Sequence, residues 1–240
     1  TVTTTIGLAG ASGDLNLSEA ELDLIQNGFS LITIGSATGT GKITTNAYTF
    51  KDTLKLINGG ATSNGGIEIA GALSVLGASE TTNNLTLHSL GTVTQGAAIT
   101  AYGLELLGTG GIYTLTNTSN AITTLAGNTG AVSFVENSGF AIGTVNTAGL
   151  TTTGNTTLSS TGTVTQSQKV AAAGLELLGS GTFTLTNTGS ANAISTLAIN
   201  AGVVSYTQSG GYTVGTINST TGVTTSGNLA LVSTSGITLS

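Results

Sequence analysis

Gly91-Thr92-Val93-Thr94-Gln95, Gly103-Leu104-Glu105-Leu106-Leu107-Gly108 and Thr114-Leu115-Thr116-Asn117-Thr118 are each written twice in this chain. They return as Gly162-Thr163-Val164-Thr165-Gln166, Gly174-Leu175-Glu176-Leu177-Leu178-Gly179 and Thr184-Leu185-Thr186-Asn187-Thr188. Further on, Gly130-Ala131-Val132-Ser133-Phe134 is echoed by Gly202-Val203-Val204-Ser205-Tyr206, and Ile142-Gly143-Thr144-Val145-Asn146 by Val214-Gly215-Thr216-Ile217-Asn218. The offset starts at 71, dips to 70 and drifts to 72 and 73. Its changes fall beside Thr109-Gly110-Gly111, around Ser119-Asn120 and near Ala148, all turn-like in composition. The alternating apolar segments stay in step, as stacked strands must, because a slip of one residue turns every side chain over.

A repeat of this length calls for a solenoid. Weaker echoes at about twenty-residue spacing, in Leu104-Glu105-Leu106, Ile122–Leu125 and Ile142–Val145, match one coil of such a fold. The chain therefore reads as all-β: a right-handed parallel β-helix, or β-solenoid, of about a dozen coils. A β-sandwich is the competing architecture, since Asn-Gly, a hairpin signal, occurs at positions 27, 58 and 64. A sandwich does not require graded repetition, whereas a solenoid does. A left-handed helix needs a strict hexapeptide repeat, which is absent.

Residues 1–240 then form one β-helical segment. Residues 1–90 make less regular coils, 91–160 the first long repeat and 162–233 the second. Residues 234–240, with Gly236-Ile237-Thr238-Leu239, begin the next, which makes this a segment of a longer chain. In the first part, Ser18 and Glu21 have capping-box spacing and predict a short helical turn within 18–25. The alternative continues the strand with Leu22 and Leu24 inward. Downstream, Phe29–Gly35, Thr53–Ile57, Gly66–Ala70, Ala72–Leu76 and Asn84–Leu87 are short strands bounded by Gly, Asn or Ser.

Composition narrows the function classes. Charged residues make up 6 % of the chain, against roughly 25 % in ordinary soluble proteins. Arg, Pro, Cys, Met and Trp are absent, and there are 37 glycines. Disorder is excluded by the alternation of β-branched and leucine positions, which suits half-buried strands. A net charge of −6 with four lysines lacks the basic stripe that neutralises phosphates, so nucleic acid is not an expected partner. No run reaches the length of a membrane helix, residues 1–10 show no signal pattern, and without cysteine there is no disulfide framework.

Leu22-Asp23-Leu24-Ile25-Gln26-Asn27-Gly28-Phe29, Ile32-Thr33-Ile34-Gly35 and Leu85-Thr86-Leu87, leading into Gly-Thr-Val-Thr-Gln and Gly-Leu-Glu-Leu-Leu-Gly, carry a family likeness. From about residue 15 to the end, the chain resembles the body repeats of large bacterial exoproteins similar to filamentous haemagglutinin, which leave the cell by the two-partner route. The resemblance implies a right-handed β-helical rod, extracellular or at the cell surface, serving adhesion, aggregation or biofilm formation. The family's secretion domain carries Asn-Pro motifs, and this chain has no proline, so that domain is not represented.

Reactive chemistry is sparse. The sole histidine, His88, falls outside or at a corner if Leu85 and Leu87 point inward, and reads as solvated. One His and no Cys cannot assemble the usual zinc site. Asn64-Gly65-Gly66-Ile67-Glu68 and Gly13-Asp14 are single fragments without the nonapeptide period of calcium β-rolls. Glu19, Glu21 and Asp23 form the only acidic cluster; on a strand they would share a face able to hold a cation through oxygens, and a solvated edge is the plainer reading. Glu68, Glu80, Glu105, Glu136 and Glu176 are isolated, whereas glycoside hydrolysis needs two facing carboxylates. Glu105 and Glu176, flanked by inward leucines, read as outward solubilising charges. Thr92-Val93-Thr94 and Thr163-Val164-Thr165 recur only once per long repeat, too rarely for an ice-binding array. Tyr113/Phe183, Phe134/Tyr206 and Phe140/Tyr212 are matched across copies and predict repeated packing positions, with Tyr102 the unmatched aromatic.

The expected function is structural: a rigid spacer in a secreted adhesin, not an enzyme, with no cofactor. Expected partners are glycans or host and neighbouring cell surfaces, with end-to-end or lateral self-association and no membrane insertion. A self-assembling extracellular filament or sheath subunit is the alternative; a polysaccharide-acting β-helix enzyme or an ice-binding protein stands behind it.

Overall fold

The computed structural model describes residues 3–60, 65–76 and 82–240. Among the described residues the main sheet has 22 strands, every pairing in it parallel, and the only antiparallel strand pair is Thr216–Ile217 with Thr220–Thr221. The fold is a parallel β-solenoid, not a sandwich. One ladder runs Ile43, Ile67, Val93, Tyr113, Val132, Thr156, Leu175, Leu197, Val214, Leu239, rising one coil at each of nine steps. At about 4.8 Å per step the shaft is about 43 Å long. The expected dozen coils become about nine because the coils are longer than twenty residues in places. Leu54 pairs with Leu85, and Ile43 with Ile67, before the spacing tightens to Leu85 with Leu104.

Each of the regular coils has three strand stretches, as in Ile43–Thr45, Tyr48–Phe50 and Leu54–Asn58. Alternate residues point inward and bury an apolar column that includes Leu54, Leu56, Leu85, Leu87, Leu104, Leu106, Leu125 and Ile142. The matched aromatics lie in this column, with Phe134 against Phe140 and Tyr206 against Tyr212 edge-to-face at 5.2 and 5.4 Å. Tyr102, which has no aromatic match, is exposed.

The helical turn near 18–25 forms at Glu19–Leu22. The Ser18 hydroxyl accepts from the Glu21 amide, the Glu21 carboxylate accepts from the Ser18 amide at 2.9 Å, and Leu22 is driven into the core.

Corners are held by side-chain amides. Asn120 accepts through Oδ1 from the Ile99 amide (2.9 Å) and Gln95 Nε2 (2.8 Å). Through Nδ2 it donates to Gln95 Oε1 (2.9 Å) and to the carbonyls of Leu115 (3.3 Å) and Val135 (3.0 Å). Asn192 repeats the set with Val170, Gln166, Leu185 and Thr207. Both asparagines are buried, so the polar groups that a tight corner strands between coils are satisfied in place.

The long repeat is not a whole number of coils. Glu105 stands on the ladder Thr33, Lys55, Thr86, Glu105, Ala126. Its counterpart Glu176 stands on a different one: Gly7, Thr44, Glu68, Thr94, Thr114, Ser133, Thr157, Glu176, Ala198. Three coils carry Val93 to Thr156, and Val164, the copy of Val93, lies one stretch further on. The second copy is thus turned by one face about the shaft relative to the first.

Candidate functional site

The outer feature that both copies share is a roofed glutamate. Leu104 and Leu106 point inward, which sends Gly103 and Glu105 outward. After Ile142 the chain leaves the sheet, and residues 143–149 fold back over this face, closed by the Gly149 amide on the Gly143 carbonyl at 2.8 Å. Val145 packs against Gly103, where a Cβ would sit 2.9 Å from Val145 Cγ2 and 2.4 Å from Asn84 Oδ1. The Glu105 carboxylate accepts from Thr86 Oγ1 (2.9 Å), Asn146 Nδ2 (3.0 Å) and the Thr147 amide (2.7 Å). Glu105 is only 2 % exposed, so the expectation of a solubilising charge is overturned: it points outward, but the excursion covers it. Burial by itself raises its pKa; the hydrogen bonds from Asn146, Thr147 and Thr86 outweigh it and hold the carboxyl below its ordinary range.

The second copy builds the same clasp. Residues 215–222 form a small hairpin whose tip, Asn218, has φ +53° and donates to Glu176 at 2.6 Å. Thr157 Oγ1 donates to the same carboxylate at 2.6 Å, and Ile217 covers Gly174. Glu176 is as buried as Glu105. The copied sequence did contain the signal, in Val145-Asn146 and Ile217-Asn218. That segment reads as a strand by composition, yet the strand ends at Ile142 and the rest is the roof.

In this arrangement each carboxylate serves its own chain. Replacing Glu105 by alanine leaves three donors facing nothing and is expected to lower stability by about 1–3 kcal/mol. Amide hydrogen exchange is expected to accelerate at Thr147 and through 143–149; unchanged exchange there would remove the clasp. Because the folded pKa is depressed, this contribution is present above the ordinary value of 4.5 and is lost as pH falls through the folded value.

The other candidates are dispersed. Glu21 is taken up in the helix cap, Asp23 accepts from the Tyr48 hydroxyl at 3.0 Å, and Glu19 begins the helix. The trio lies on a helical turn, so the strand alternation that would have gathered it on one face does not exist, and among the described residues no three acids or histidines gather to hold a metal. Glu68 pairs with Lys42. Glu68 and Glu176 share a ladder five coils apart, about 24 Å at the coil spacing, far beyond the 5–9.5 Å of paired glycosidase carboxylates. Glu80 and Asn64 lie outside the described residues. His88 is on the outer side as expected but half-buried, not solvated; its Nδ1 has no partner, and burial lowers its pKa. Hydroxyls do recur once per coil, at Thr94, Thr114, Ser133 and Thr157, where sequence spacing gave one per long repeat. On one side the rank is bordered by the apolar outward positions Ile112 and Ala131.

Comparison with protein-family models, with characterised proteins and with solved structures gives no match. Among the described residues no helix is long and apolar enough to cross a membrane.

Proposed function

We propose that this chain is a rigid shaft segment of a secreted bacterial surface adhesin. The observation that supports this reading most directly is the unbroken parallel ladder from Ile43 to Leu239. Every coil adds length, while the outward acids are consumed in holding the chain to itself. The remaining skin is mostly Thr, Ser, Asn and Gly. Such a surface offers hydroxyl and amide contacts too weak to matter singly, and these gain strength through repetition. The partners it fits are glycans on host or neighbouring cells.

Beads coated densely with the segment are expected to adhere to glycan-bearing cells, while the free monomer shows no saturable binding in the micromolar range. Tight one-to-one binding of a single oligosaccharide, or its cleavage, would overturn the reading in favour of a carbohydrate-acting β-helix. A self-assembling filament subunit is the second reading. Sedimentation that grows with concentration would support it.

A further inference from the structure

The two copies differ in chemistry at one interior corner. In the second copy Gln208 is buried, and all its polar atoms are matched. Its Oε1 accepts from the Ile194 amide (2.8 Å) and the Tyr206 hydroxyl (2.7 Å), and its Nε2 donates to the carbonyls of Ile194 (3.1 Å) and Gly211 (3.2 Å). At the equivalent place the first copy carries Glu136, with Phe134 in place of Tyr206. Val132, Phe134 and Glu136 alternate inward along the same strand and its end, and Glu136 is fully buried. Its Oε1 accepts from the Ser138 amide at 3.1 Å and from the Ser138 hydroxyl, whereas its Oε2 has no partner.

No cation compensates it. The segments stacked below and above, 114–120 and 158–163, and the corner that follows, 137–142, contain no Asp, Glu, Lys, Arg or His. A bare carboxylate oxygen in such a place is costly, and taking up a proton removes the charge. A proton on Oε2 also makes that atom a donor, as Gln208 Nε2 is. The residues aligned with that amide's two acceptors are Ile122 and Gly139.

We infer that Glu136 is a neutral carboxylic acid inside the folded shaft, and that its ionisation loosens the corner at 136–142, so that this part of the solenoid is tightened by acid and relaxed by base. Burial raises the Glu136 pKa, and the hydrogen bonds from Ser138 offset it only in part. The sign follows. Above the ordinary value of 4.5 the unfolded chain has released the proton while the folded chain keeps it, so stability falls as pH rises through the window up to the folded value.

The test uses the whole chain and the substitution that the second copy already carries, Glu136→Gln. As pH rises above the ordinary value of 4.5 toward the raised folded value, the wild type is expected to lose melting temperature relative to E136Q, whose profile has this slope removed. The wild-type minus E136Q infrared difference just above the ordinary value of 4.5 is expected to show the carbonyl band of a protonated carboxylic acid. The reciprocal Gln208→Glu is expected to add a second slope of the same sign. Parallel pH profiles for wild type and E136Q, or ionised-carboxylate bands in the difference spectrum, would overturn the inference whether or not Q208E folds.

Discussion

Asn120→Asp is expected to cost about 3–5 kcal/mol of unfolding free energy, among the largest effects of any polar substitution in this chain. The asparagine joins three coils. It accepts from Ile99 and Gln95 and donates to Gln95, Leu115 and Val135. Aspartate keeps the accepting oxygen but puts a second oxygen where Nδ2 stood, facing three acceptors. Ionised, it repels them; protonated, it serves one of them and carries the cost of a raised pKa. Low local dielectric amplifies both terms. The same substitution at Asn192, which makes the copied set of bonds, is expected to cost a similar amount. Urea unfolding of the two variants measures this, and a loss below about 1 kcal/mol at either site would show that the corners are held by apolar stacking alone.

Those asparagines also show what a single sequence reveals and what it hides. The alternation in Gly103–Gly108 and its copy exposes inward leucines directly, because a strand has period two whatever it packs on. The aromatic matches are legible for the same reason, and all of them are buried. Coil length is not legible. Nothing in Leu54 through Leu85 marks which residues leave the sheet between those two paired positions, and the count of coils suffers accordingly. Neither is rotation. A 71-residue offset fixes the spacing of the copies along the chain, but only the ladder shows that Glu105 and Glu176 stand on different faces. Their burial is hidden because the covering residues, Asn146 and Asn218, are 41 and 42 positions away. Outwardness along a strand was correctly inferred; exposure does not follow from it when an excursion folds back.

The rotation bears on function. A feature borne once per long repeat, such as the clasp excursion at 143–149 and 215–222, is displayed on successive faces instead of one rank. A shaft so built displays its excursions in more than one direction. The rotation also explains why Thr92-Val93-Thr94 and its copy Thr163-Val164-Thr165 stand on different ladders.

Gly108→Ala is expected to be as damaging as the asparagine change, about 3–4 kcal/mol, for a reason that belongs to stacked coils. Gly108 has φ +121°, and a Cβ there would sit 2.0 Å from the Ser89 carbonyl oxygen in the coil beneath. Gly179 repeats the situation over Ser160 at 2.3 Å. Two effects are mixed in such a site: left-handed backbone disfavours any side chain, and the neighbouring coil leaves no room for one. Gly110 separates them, since its φ is +88° but nothing lies within 4 Å of the Cβ position. Gly110→Ala is therefore expected to cost only about 1 kcal/mol, the conformational part alone. Equal losses at the two positions would mean that strain, not coil contact, sets the price. A much larger loss at Gly108 would mean that the coil spacing itself is rigid at this corner.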